Sequence, residues 1–212
     1  MNIAIFGAGS VGGTLGRRMA EAGHRIVFGV PSPKDEKYKE LTRAIGRETT
    51  VASVAEAARG AEVVVLATPW DAAREALQAA GDLSGKLVID CTNPLKFGPD
   101  GLSLTLGFTT SAAEQVASWA RGAAVAKCFN QTGFGNMASP RYGDVRAVMF
   151  VCGDDAAARD TARQLADEIG FDAVDAGPLK VARLLEPLAM LWIHLSATTP
   201  LKRDFAFALL RR

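Results

Sequence analysis

Few side chains in this sequence of 212 residues have the type and spacing for acid–base or metal chemistry; the pattern that carries chemistry is a run of glycines, Gly7-Ala8-Gly9-Ser10-Val11-Gly12. A glycine turn opening a helix brings backbone N–H groups and the positive helix end to an anion such as a pyrophosphate. Gly7 allows the tight turn, Gly9 removes the Cβ that would block a phosphate, and Gly12 lets the helix lie close on the strand. Ser10 and Val11 complete the candidate set. The required context is present. Ile3-Ala4-Ile5-Phe6 reads as a buried strand, and Val11 to Ala22 as a helix with Val11, Leu15, Met19 and Ala22 on one face. His24 and His194, the only histidines, have no second ligand at metal spacing, so no metal site is expected. Cys91, Cys128 and Cys152 end apolar runs without a C-x-x-C pair and read as buried free thiols.

Elements further along the chain must position the remaining candidates. The second strand, Arg25 to Val30, ends in Gly29-Val30-Pro31-Ser32-Pro33-Lys34, without the acid that would bind a ribose 2′-hydroxyl. Ser32 and Lys34 therefore favour NADP, the alternative being an ordinary turn with a solvated lysine. Thr68, Pro69 and Trp70 follow the apolar strand Val63 to Ala67 and are candidates to line the cofactor, unless Pro-Trp simply packs the turn; Asp71 is placed to cap the next helix. Asn93 follows the strand Lys86 to Asp90 and either reaches a nicotinamide or stabilises a turn. Leu95 to Thr110 reads as a long loop over the site, and Ser111 with Glu114 as a capping box. Asn130, Gln131 and Thr132 follow the sixth strand, Ala123 to Phe129, as a substrate rim or a mere crossover.

With 49% apolar residues, 22% charged and a net charge of +1, the chain reads as a soluble globular protein, and near-neutrality argues against nucleic acid or an anionic membrane as partner. No leader is evident, and the longest apolar stretch, Leu184 to Leu195, is broken by Glu186 and Pro187, so the cytoplasm is the expected location. Regular β–α alternation implies an α/β fold, a doubly wound, mostly parallel Rossmann sheet over residues 1–129, with a small C-terminal α/β portion over 130–212 for substrate and dimer contacts. The last helix, with Leu184, Leu185, Leu188, Leu191, Trp192 and Leu195, has little polar surface and must be buried against its own sheet or another subunit. The tail, Leu201 to Arg212, reads as docking on a neighbour.

Several stretches together go beyond a general nucleotide fold. Gly7 to Gly12 with Ala22-Gly23-His24, Thr68-Pro69-Trp70-Asp71, Cys152-Gly153-Asp154-Asp155, Asp175-Ala176-Gly177-Pro178-Leu179 and Arg183-Leu184-Leu185-Glu186 resemble the coenzyme F-420-dependent NADP oxidoreductase family over nearly the whole chain. The resemblance implies a cleft between the two portions, a homodimer through the C-terminal helices, and hydride transfer between NADP(H) and a deazaflavin, coenzyme F-420, or a flavin-like second substrate. Carried onto this chain, the glycine loop binds the pyrophosphate, Pro69 and Trp70 border the nicotinamide, and Asn130 to Thr132 with the Gly177 to Arg183 corner flank the second ring. Direct transfer needs stacked rings and no catalytic acid or base, which the scarcity of histidine and of clustered carboxylates at strand ends fits. The chain departs from archaeal members in having Val30-Pro31 where they place Ser-Arg, and Phe129-Asn130-Gln131 where they place His-Thr-Ile. A related domain occurs in membrane metalloreductases. The alternatives are an NADP(H)-sensing module and an NADPH-dependent reductase of a small carbonyl or imine compound.

Overall fold

The computed structural model describes residues 1–46, 49–99 and 101–212. Its strands are β1 (Asn2–Phe6), β2 (Arg25–Gly29), β3 (Thr50–Ala52), β4 (Val63–Leu66), β5 (Leu87–Asp90), β6 (Leu95–Gly98), β7 (Gly101–Leu104), β8 (Ala124–Lys127), β9 (Arg141–Tyr142), β10 (Val145–Arg146), β11 (Val148–Gly153) and β12 (Asp172–Gly177). The helices are α1 (Ser10–Glu21), α2 (Glu36–Ile45), α3 (Val54–Arg59), α4 (Trp70–Ala80), α5 (Ala112–Trp119), α6 (Phe134–Ala138), α7 (Ala156–Glu168) and α8 (Ala182–Thr198).

Eight strands form one sheet in the order β12-β11-β8-β5-β4-β1-β2-β3. From β8 to β3 all neighbours are parallel, which is the doubly wound Rossmann order, reversing direction of winding between β1 and β4. β11 runs antiparallel to β8 and carries β12 parallel beside it, so the C-terminal portion extends the same sheet. Central strands are apolar on both faces, as a sheet covered by two helix layers requires; all four residues of β4 are buried. One buried cluster joins Ile5, Leu15 and Phe28 to Met149 and Phe171, and the other, on the opposite face, joins Phe6, Val64 and Leu77 to Leu179 and Leu185.

The Ser111 cap expected from sequence is present, and two further side-chain caps accompany it. Ser53 closes a capping box with Glu56, Asp155 accepts from the Ala158 N–H at 2.7 Å, and Ser111 caps α5, although the Glu114 carboxylate bonds the Ser111 hydroxyl, at 2.7 Å. Four expectations change. The stretch after Asn93 is not a plain loop but contains the β6–β7 hairpin, whose strands, four residues each and with a glycine in both, are too short for a period to show. Helix α4 starts at Trp70 with Pro69 as its cap, so Asp71 lies inside the first turn, where a carboxylate still meets the positive helix end. Helix α8 buries Leu185, Ala189 and Trp192 within its own chain but leaves Leu184 and Leu191 exposed. The tail also docks on its own chain. Val148 donates to the Phe207 carbonyl at 2.8 Å and Arg211 pairs with Asp172 at 2.6 Å. Among the described residues no helix is long and apolar enough to cross a membrane.

The close contact of α1 with the sheet depends on missing side chains. A Cβ built on Gly12 would fall inside the contact radius of the Gly7 carbonyl oxygen, and one on Gly16 inside that of the Phe28 ring. One on Gly13 meets Leu41 Cδ1 at 3.5 Å and the Ala8 carbonyl oxygen at 3.9 Å, both ordinary contacts. Gly12→Ala is therefore expected to lower stability by about 3 kcal/mol, the upper end of ordinary overpacking. Gly13→Ala should raise it by about 0.5–1 kcal/mol through helix propensity. Chemical denaturation of both variants checks the opposite signs.

Candidate functional site

The glycine turn lies where β1 ends at the carboxyl edge of the sheet. Gly7 takes φ +97°, a conformation side chains disfavour, and its N–H donates to the Gly29 carbonyl at 3.1 Å. Gly9 caps α1 with extended backbone, and its C=O accepts the Gly13 N–H at 2.8 Å. The first-turn amides, Ser10 to Gly12, have no intrahelical acceptor. A Cβ on Gly9 would meet nothing within 4 Å, so the space in front of these amides is open.

Two cavities flank this turn. The first, about 310 Å³, is bounded by Gly7, Val30, Pro31, Val54, Thr68 and Ala76, among others, and is largely apolar. The Thr68 hydroxyl on its wall is buried without a hydrogen-bond partner among the described residues. An open cradle at a helix N-terminus, an apolar slot and an unspent hydroxyl fit an adenine dinucleotide. Ser32 and Lys34 are exposed just beyond Pro31, outside the lining of that cavity. Lys37 is engaged by Asp35 at 3.2 Å, whose hydrogen bond raises its pKa.

The second cavity, about 750 Å³, contains Ser10, Val11, Asn93, Asn130 and Thr132 from the predicted set. Asn93 donates to the Asn130 carbonyl at 2.9 Å, and the Asn130 amide donates to Asn93 Oδ1 at 3.0 Å and to the Leu185 carbonyl at 3.2 Å. The two asparagines thus clasp each other across the ends of β5 and β8. Phe129, wholly buried, takes φ +63°, rare for an aromatic residue, and turns the chain from β8 toward the cleft.

Other predicted residues are placed elsewhere. Gln131 is buried, donating to the Phe150 carbonyl and accepting from the Phe150 N–H at 2.8 and 2.9 Å, an edge contact to β11. Trp70 stacks on Trp119 with centroids 5.3 Å apart, and neither it nor Pro69 lines either of these two cavities. Arg183 grips Glu114 through two bonds of 2.9 and 2.6 Å, holding that carboxyl below its ordinary range, and Gly177 bonds Asp175 at 2.7 Å; both lie outside the cavities. Conversely, Asn136, Arg141, Tyr142, Trp192, Arg203 and Asp204 line the second cavity and were not singled out from sequence as site residues. They come from four separate segments after Thr132, and no local motif marks them. All three cysteines are buried and free, with burial pushing Cys152 up to about 12 and Cys128 well above the ordinary thiol value. Among the described residues no three His, Cys, Asp or Glu side chains gather as a metal would need.

Beside the asparagine pair lies a buried charge cluster that no local sequence pattern marks. Lys127 Nζ lies 2.8 Å from Asp90 Oδ2 and 2.9 Å from Glu186 Oε1 and donates to the Thr92 carbonyl at 2.6 Å, all three side chains being at most 1% exposed. Asp90 Oδ1 accepts from the Thr92 N–H and hydroxyl at 2.8 and 2.7 Å. Glu186 accepts the Ala112 and Ala113 N–H groups, at 3.0 and 3.2 Å, so it also caps α5. Burial alone would lower the Lys127 pKa, but the two carboxylates outweigh it and hold it above its ordinary value. Burial raises the Glu186 pKa from its ordinary value, only partly offset by Lys127.

Comparison with known proteins agrees with this arrangement. Residues 2–94 match the family model described as NADP oxidoreductase, coenzyme F-420-dependent. The structure of a candidate F-420-dependent NADP reductase from Arthrobacter sp. FB24 is 31% identical, with a TM-score of 0.89 and 100% coverage of both chains. Metalloreductase STEAP3 of Rattus norvegicus is 30% identical over 192 residues; the match takes in 89% of this chain, which spans 36% of that protein's length. A reductive aminase from Aspergillus terreus, in complex with NADPH and ethyl levulinate, shares the fold at 17% identity, with a TM-score of 0.67 over 92% of this chain and 61% of its own.

Replacing Lys127 by Met would leave two buried carboxylates facing each other. The expected cost is about 3–5 kcal/mol at neutral pH. A carboxyl raised in the folded state contributes stability below its unfolded value and loses it as pH rises through the folded one. With Glu186 raised further, the variant should regain part of its stability in mildly acidic buffer, more than the parent gains. Denaturation curves at the two pH values measure this.

Proposed function

Because the chain belongs to the coenzyme F-420-dependent NADP oxidoreductase family, we propose that it transfers a hydride between NADP(H) and a deazaflavin, coenzyme F-420, or a flavin-like second substrate. The observation that carries this reading is the pair of unequal cavities flanking one glycine turn, with space for a dinucleotide along the turn and for a second flat ring beyond it. In this reading Val30, Pro31, Val54 and Ala76 enclose the adenosine and Thr68 donates its free hydroxyl. The amides of Ser10, Val11 and Gly12 hold the pyrophosphate in front of Gly9, and Ser32 and Lys34 face the 2′-phosphate. NADPH, when bound, supplies the hydride from its nicotinamide ring. Asn93 and Asn130 orient the reacting rings from the cleft floor, and Thr132 closes its side. No side chain is assigned as acid or base, since orientation and exclusion of water suffice for this chemistry. Helix α8 pairs two subunits through its exposed stripe, Leu184 at 69% and Leu191 at 46% exposure, two turns apart on one face.

Mixing NADPH with oxidised F-420 or a flavin should give loss of nicotinamide absorbance with matching reduction of the acceptor. No change with any deazaflavin or flavin would refute the reading. Gly9→Val should keep the melting temperature, since its Cβ enters open space, yet weaken NADPH binding about 10- to 100-fold by displacing charge-assisted hydrogen bonds. Calorimetric titration distinguishes this from misfolding. Leu184→Glu combined with Leu191→Glu should convert a dimer to a monomer in sedimentation velocity. A parent chain that sediments as a monomer would remove the dimer from the proposal.

A further inference from the structure

We propose that the segment following α8 reads an anionic group on the second substrate, with Arg203 and Arg141 as the specificity-determining pair; this rests on the second cavity being the site of that substrate. The segment is fixed as a wall of the cavity, not a loose end. The Phe205 carbonyl accepts from Trp192 Nε1 at 3.1 Å and from the Asn136 amide at 2.8 Å, and the Phe205 ring stacks on Trp192 with centroids 5.3 Å apart. A Cβ on Gly133 would lie 2.5 Å from Trp192 Cη2, so the indole is seated where Gly133 leaves room for it. Downstream, Phe207 bonds β11 and Arg211 pairs with Asp172. Upstream, Lys202 takes the left-handed conformation, φ +51°, and turns the chain so that Arg203 and Asp204 line the cavity.

The arginines of the last third of the chain are unevenly spent. Arg146, Arg159, Arg163, Arg183 and Arg211 each hold a carboxylate. Arg141 and Arg203, which both line the cavity, hold none among the described residues, although Asp204 shares the wall. Two guanidinium groups against one carboxylate leave the rim net positive. The Arg203 guanidinium lies 5.9 Å from the centroid of the Phe134 ring, so a cation sits beside an aromatic face on the same rim. A flat ring carrying a phosphate or carboxylate substituent satisfies both: the ring against the aromatic surface, the anion on the planar forks of the arginines.

FMN and riboflavin carry the same ring and differ by one phosphate, which makes them the probes. Each is titrated into the full chain saturated with NADP⁺, with binding read by flavin fluorescence. FMN is expected to bind about tenfold more tightly than riboflavin, as one charge-assisted contact would give. Arg203→Ala and Arg141→Ala should each remove most of that preference, and Arg203→Lys should restore part of it, while NADPH affinity stays at the parent value. Equal binding of the two flavins, binding of neither, or a preference that survives Arg203→Ala overturns the inference. The hydride reading fails separately. Flavin binding with the phosphate preference but no NADPH oxidation would refute that reading alone, and turnover without the preference would refute only this one.

Discussion

A single buried ammonium ties the parallel strands of the sheet to the C-terminal helix. Lys127, on the last parallel strand, is shared between Asp90 on the neighbouring strand and Glu186 on the C-terminal helix, and Glu186 in turn receives the first amides of α5. An unpaired charge at this depth would be prohibitively costly, so each partner is meaningful only in the presence of the others. The cluster carries one more carboxylate than ammonium, and the positive end of α5 lies against the excess. Just downstream of each strand partner stand Asn93 and Asn130, whose mutual hydrogen bonds form the floor of the larger cavity. The relative placement of two strands, two helices and the cleft floor therefore follows from one set of short contacts.

The opposite wall of the cleft is built by subtraction. Gly12 and Gly16 let α1 press onto β1 and β2, which brings the first-turn amides to the sheet edge and leaves open space in front of Gly9. Gly133 does the same on the far side, where its missing side chain admits the Trp192 ring, which in turn orders the tail. The two cavities inherit different characters from these contacts. One is an apolar slot between β2, α3 and α4; the other is rimmed with amides, aromatic rings and arginines.

How far this could be read in advance depended on whether the physics was local. The glycine turn and the Ser111 cap depend on contacts within a few residues, and their patterns are visible as written; the parallel sheet followed from the β–α alternation along the chain. Asn93, Asn130 and Thr132 were legible because ligand-facing loops follow strand ends in such sheets. Gln131, one residue from Asn130, was not separable from it by the same rule, since facing the cleft or the β11 edge depends on the strained turn at Phe129. Trp70 and Arg183 were equally ambiguous. Their partners, Trp119 and Glu114, lie on a helix whose packing no nearby residue announces.

The sequence alone determined the class of fold and the kind of anion site at its start, because a short strand, a glycine turn and an amphipathic helix encode their own geometry through sterics and periodicity. It could not reveal that Lys127, Asp90 and Glu186 share one buried site, nor that Arg141 and Arg203 line one cavity. Those groupings belong to the tertiary structure, since charges distant in the chain acquire partners only when burial removes water as the alternative.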